Sequence, residues 1–159
     1  MQEDYSQDAV IVETLLGRKP QGSYEIAVRK PDGTPRVIKN SPFLSDGTPM
    51  PTTYWLLDPE DKLHISRLES SGAINQAELE IGLKKLQEAH LDYEKQRNDL
   101  IDENYNGPRP SGGVGGTRRG IKCLHAHYAW FLAGGNDPVG LWIEDRISEE
   151  SQRNQEING

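Results

Sequence analysis

Apolar positions in the first third of the chain fall in short alternating runs, and those that follow recur at helical spacing. Tyr24, Ile26 and Val28 alternate with polar residues, which predicts a strand over 23–30 with these three side chains on one face. Pro31, Asp32 and Gly33 read as a hairpin turn, and a second strand follows around Arg36 to Lys39. A third is expected at Thr52 to Leu57. Ahead of them, residues 8–18 read as a short helix in which Val10, Val12, Leu15 and Leu16 are the apolar members and Gly17 stands near the end. The string Asp-Gly-Thr-Pro occurs at Asp32 to Pro35 and again at Asp46 to Pro49, and turn chemistry accounts for both copies.

Asp58, Pro59 and Glu60 supply a capping carboxylate, a proline for the first helical position and an acid for the first turn. The helix they open is expected to end near Gly72. Asn75 with Glu78 resembles a capping box, which predicts one long helix to about Ile101. Its stripe is Leu79, Leu83, Leu86, His90, Tyr93, Arg97 and Leu100. Such a helix is expected to lie lengthwise on its own domain, because His90 and Arg97 interrupt the seam a two-stranded coiled coil would need. Residues 104–120 form a loop rich in Gly, Pro and Asn. A strong helix over Ile121 to Ala133 follows, ended by Gly134, Gly135 and Asn136. Asp137 and Pro138 start a short last helix carrying Leu141, Trp142 and Ile143. This order argues for an α+β fold: a small antiparallel three-stranded sheet with an N-terminal helix and three to four helices after the sheet. One domain is expected over 8–147, with 1–7 and 148–159 as flexible tails.

Charge narrows the functional classes. The 159 residues carry a formal net charge of −7, which disfavours general binding to nucleic acid or anionic membrane. One cysteine allows no internal disulfide, and a reducing compartment is the natural expectation. No apolar run approaches a membrane span, and the start MQEDYSQD lacks the features of a signal peptide, so a cytoplasmic location is expected.

Against that background one window stands out. From Asn104 to Asn136 there is no Asp or Glu, while Arg109, Arg118, Arg119, Lys122, His125 and His127 all fall inside it. The run Gly112, Gly113, Val114, Gly115, Gly116 precedes the basic residues and a helix. Glycines let a backbone approach a ligand and turn N–H groups inward, and a helix N-terminus adds unpaired donors and partial positive charge. The expectation is an anion site in which Gly113, Gly115 and Gly116 supply backbone donors and Arg118, Arg119 and Lys122 supply charge. The spacing is neither a P-loop nor a dinucleotide-binding turn. His125 and His90 are the candidates for acid or base work, with His90 and Arg97 completing the pocket. Cys123 and His127, four apart on one helical face, are weak metal candidates, since two ligands do not close a zinc site. No cofactor is expected.

Several segments carry a family resemblance: LLGRKPQG, SDGTPMPTTYWLLDP, EAHLDYEKQRNDL, GVGGTRRGIKCLHAH and GGNDPVG, in that order between about Leu15 and Leu141. Together they resemble the bacterial domain-of-unknown-function family 501, which carries no activity to transfer. The resemblance implies cysteines in typical members where this chain has Lys30 and Asp58, and a shared cysteine at Cys123. It therefore implies that Lys30, Asp58 and Cys123 converge, with an ion pair standing where thiolates would hold a metal, and that no zinc or iron is retained.

The leading expectation is a protein, catalytic or not, that binds a phosphorylated or otherwise anionic small molecule. The alternative is a non-catalytic adaptor or regulator that binds another protein through the long helix and Trp142. Nucleic acid and membrane are disfavoured as partners.

Overall fold

A computed structural model describes residues 5–158, with side chains described over 7–157. Among the described residues the order is α1 (Tyr5–Leu16), β1 (Tyr24–Arg29), β2 (Pro35–Asn40), β3 (Tyr54–Leu56), α2 (Pro59–Ser70), α3 (Ala73–Ile81), α4 (Leu83–Asn98), α5 (Leu124–Leu132) and α6 (Pro138–Asn158), with a single 3-10 turn at Val114–Gly116 before α5. The fold is α+β. Its sheet is antiparallel throughout, in the order β1-β2-β3. Residues 1–4 of the expected N-terminal tail lie outside the described residues. Residues 148–157, expected as a tail, continue α6, with an exposed surface from Ser148 onward.

The sheet is covered on both faces. Val12 of α1 packs with Ile38 and Leu57 on one side. On the other, Val37 and Leu56 join Ile65 of α2, Leu86 of α4, Leu124 and Tyr128 of α5 and Ile143 of α6. Consecutive residues of β2 therefore enter different cores, which is why this strand is the most buried of the three. The expected single face for Tyr24, Ile26 and Val28 is corrected: Tyr24 and Ile26 pack beneath α1, but Val28 joins the opposite core. Pairing shifts register between Ile26↔Ile38 and Val28↔Val37, and a bulge of this kind moves the following side chain to the other face.

Asp58 caps α2 as its sequence indicates: its carboxylate accepts the Asp61 N–H at 3.0 Å, and Pro59 is the first helical residue. The long helix expected from Asn75 is two helices. Gly82, at φ 89°, breaks it, and α3 starts from Gly72 instead of Asn75. The break resets the apolar stripe. Leu86, His90, Tyr93 and Arg97 are buried, whereas α3 buries Ala73 and Ala77 and leaves Leu79 exposed. Glu78 does not close a capping box; its carboxylate accepts the Ile121 N–H at 2.9 Å. α5 begins at Leu124, three residues later than expected, because Cys123 is extended (φ −154°, ψ 122°).

Candidate functional site

The segment from Pro110 to Gly120 is fixed to α4 by the two polar residues on its buried face. His90 Nδ1 accepts the Val114 N–H at 3.1 Å, so Nε2 carries the proton and donates to the Gly120 carbonyl at 2.7 Å. Burial holds its pKa below the usual histidine value. Arg97 Nη1 donates to the carbonyls of Gly112 at 2.7 Å and Pro51 at 3.1 Å, and its Nη2 to the carbonyl of Pro110 at 3.3 Å. Gly113 lies so close to α4 that a Cβ there would sit 2.4 Å from His90 Cβ.

These contacts give Gly113, His90 and Arg97 structural roles. The Gly113 N–H donates to the Thr117 carbonyl at 2.7 Å, the Val114 N–H to His90, and the Gly116 N–H to the Gly113 carbonyl at 3.0 Å. The Gly113 and Gly116 N–H groups are thus spent within the loop, and Gly113 is a packing glycine. His90 and Arg97 are staples: both ring nitrogens of His90 and both terminal nitrogens of Arg97 bond backbone. The basic window is also not acid-free in space, because Arg118 reaches Glu94 at 3.9 Å and Glu78 reaches Ile121. Arg118 and Arg119 are exposed.

A cavity of about 380 Å³ opens beside this loop, between β3, α2 and the N-terminus of α5. Tyr54 and Trp55 line it on the sheet side, and Gly115, Lys122, Cys123 and His125 on the side of the loop and α5. Arg18 and Lys62 complete its charged rim, and no Asp or Glu is among its lining residues. The Arg18 guanidinium lies 5.1 Å from the Trp55 ring centre. Lys62 Nζ donates to the Leu15 carbonyl at 3.0 Å, which leaves other donors of its ammonium uncommitted to that bond. Of the expected site residues, Gly115, Lys122, His125 and the metal candidate Cys123 line this cavity. Gly113, Gly116, Arg118, Arg119, His90 and Arg97 are not among its lining residues.

At one end of the cavity His125 Nδ1 lies 2.8 Å from Glu69 Oε1 and 3.7 Å from Cys123 Sγ, while its Nε2 faces Ser66 Oγ at 3.3 Å. The hydrogen bond with Cys123 raises the His125 pKa. Burial would push the Cys123 thiol up, but His125 and the Ala126 backbone amide outweigh it and hold the thiol below its ordinary value. The expected pairing of Cys123 with His127 does not form. His127 is fully buried with Nδ1 2.7 Å from Asp137 Oδ2, so it faces α6 and not the cavity. Glu69, Arg18 and Lys62 escaped the sequence reading because each sits at least 50 residues from Cys123, and the helical patterns they belong to do not tell which element they pack against.

Lys30 and Asp58 do meet, at 3.2 Å. Cys123 does not join them. Asp58 caps the start of α2 and Glu69 lies in its last turn, so about 16 Å of helix separates the ion pair from the carboxylate beside Cys123. The expected three-way convergence is thus corrected to a pair.

The family model for proteins of unknown function DUF501 matches residues 26–145. The chain belongs to this family. The DUF501 match spans the sheet from Ile26 onward, the helices α2 to α5 and most of the first half of α6, and so includes every residue of the cavity wall except those contributed by α1 and the segment after it. No curated protein and no solved structure matches the chain. Among the described residues, no helix is long and apolar enough to cross a membrane.

Proposed function

We propose that this protein binds a small anionic molecule with an apolar body in the cavity between β3, α2 and α5. One observation carries the reading: in a chain of net charge −7, the cavity is rimmed by Arg18, Lys62 and Lys122 and has no carboxylate among its lining residues. Cations of one sign around a cavity favour an anion, and the α5 N-terminus, whose first turn holds no acid, adds partial positive charge. Tyr54 and Trp55 offer a surface for an aromatic or aliphatic body. The volume suits a compact metabolite. Relative to the sequence expectation, Lys122 keeps its role, and Arg18 and Lys62 take the place of Arg118 and Arg119.

The test is a thermal-shift comparison of phenyl phosphate and phenylacetate with benzyl alcohol. A ligand that binds only the native state raises its melting temperature. A rise with the two anions and none with the alcohol supports the reading; no anion-selective rise removes it. The adaptor reading has one observation in its favour, the strongly exposed Leu79 and Leu83 on either side of Gly82.

A further inference from the structure

We infer that Glu69, Cys123 and His125 form a mononuclear site for a zinc-like divalent metal ion, with one coordination position open to the cavity. The site goes beyond the anion reading and does not depend on it.

The three candidate ligand atoms all lie within 4.8 Å of one another. In a tetrahedral zinc site, bonds of about 2.3 Å to sulfur and about 2.0 Å to nitrogen place the two donors about 3.6 Å apart. Cys123 Sγ and His125 Nδ1 are 3.7 Å apart. Glu69 Oε1, at 2.8 Å from Nδ1, has to open by about half an ångström to meet the same geometry. Its side chain is part-exposed in the last turn of α2, where a small rotation of the carboxylate supplies that distance.

The arrangement of the imidazole separates a metal site from a nucleophilic triad. A triad divides the ring: one nitrogen serves the nucleophile and the other the orienting carboxylate. Here Nδ1 faces both the thiol and the carboxylate, and Nε2 faces the Ser66 hydroxyl. Convergence of three donors on one side of the ring, with a hydrogen-bond partner holding the other nitrogen, is the pattern of a metal-ligating histidine and its supporting shell. On metal binding the thiol proton leaves to solvent, and the imidazole takes the Nε2–H tautomer, which donates to Ser66 Oγ.

The donor set fixes the class of ion. One thiolate, one imidazole and one carboxylate suit zinc or cobalt and not magnesium or calcium, which take oxygen donors. Three protein ligands leave a fourth position. Since Cys123 and His125 line the cavity, that position is reached from it. The expectation of a metal-free protein, and of His127 as the partner of Cys123, is replaced by this set.

The test is titration of the full, chelator-treated chain with Co2+, read by absorbance. The expected result is one equivalent bound, with a sulfur-to-cobalt charge-transfer band in the near ultraviolet and visible bands of four-coordinate cobalt. Cys123→Ser must abolish the charge-transfer band. Ser66→Ala, which touches no metal, should weaken Co2+ binding by about 10-fold or more while the band itself remains. His125→Ala and Glu69→Gln should each lower affinity further, with folding checked by circular dichroism. Absence of the band at stoichiometric Co2+ overturns the proposal, as does a band that survives Cys123→Ser or a Co2+ affinity indifferent to both Glu69→Gln and Ser66→Ala. Arg18→Ala should keep the cobalt spectrum while losing response to phenyl phosphate, so failure of the anion reading and failure of the metal site give different results.

Discussion

The imidazole of His90 accepts the backbone N–H of Val114 at 3.1 Å, a bond that only the neutral ring can make at that nitrogen. Its other nitrogen is spent on Gly120, and the His127 ring lies 5.7 Å away, itself bonded to Asp137. A proton on His90 must therefore break the Val114 bond inside a buried site.

The pH dependence follows. The folded-state pKa of His90 is lowered, so between it and the unfolded value of about 6.5 the unfolded chain binds the proton and the folded chain does not. The stabilisation is complete above about pH 6.5 and is lost as pH falls below it, by at most about 1.4 kcal/mol per pH unit from this one group. Urea unfolding between pH 7.5 and 5 should show that slope in the native chain and a reduced slope in His90→Gln. An equal slope in both would remove His90 as its source.

Gly113→Ala should be costly for steric reasons alone. The new Cβ would meet His90 at 2.4 Å against a helix backbone that cannot yield cheaply. Overpacking of this kind typically costs about 1–3 kcal/mol. A shift in the urea midpoint checks it, and a neutral result would mean that the loop is free to move off α4.

Arg97→Lys should fail to rescue the loop. The guanidinium serves three carbonyls in two segments, those of Pro51 and Gly112 through Nη1 and that of Pro110 through Nη2, and a single ammonium cannot reproduce that fork. Leaving even one of these buried carbonyls unpaired costs about 1–3 kcal/mol. Hydrogen exchange should show faster opening of residues 110–117 in the variant, with the sheet unaffected.

Lys30 and Asp58 should behave unequally. The Lys30 side chain is one-third exposed and its ammonium is solvated, so Lys30→Ala should cost little stability. Asp58→Ala also removes the cap of α2 and should cost about 0.5–2 kcal/mol. A double-mutant cycle that returns a coupling well above 1 kcal/mol would show the pair to matter more than its exposure allows.

The sheet and α2 were legible because their signals are local: alternation, Asp-Gly turns and the Asp58-Pro59 cap each act within a few residues. Gly82 was not read as a break, since a lone glycine inside a helical pattern is tolerated as often as not, and only its positive φ reveals the turn. The glycine run was legible as unusual but not in its purpose. A glycine that lets a ligand approach and one that lets His90 approach look identical in sequence; Gly113 is the second kind. Lys122, Cys123 and His125 could be placed near a site because they share a helix start. Glu69, Lys62 and Arg18 could not, since their meeting with that helix is a product of tertiary packing.

The central claim is that cations on the cavity rim bind an anion. It is tested most directly by the melting temperature at saturating phenyl phosphate in three proteins. The native chain and Arg118→Ala/Arg119→Ala should both rise, by the equivalent of about 2.7 kcal/mol at a hundredfold excess over Kd. Arg18→Ala/Lys122→Ala should fold and not respond. A response lost with Arg118 and Arg119 and kept without Arg18 and Lys122 would contradict the account.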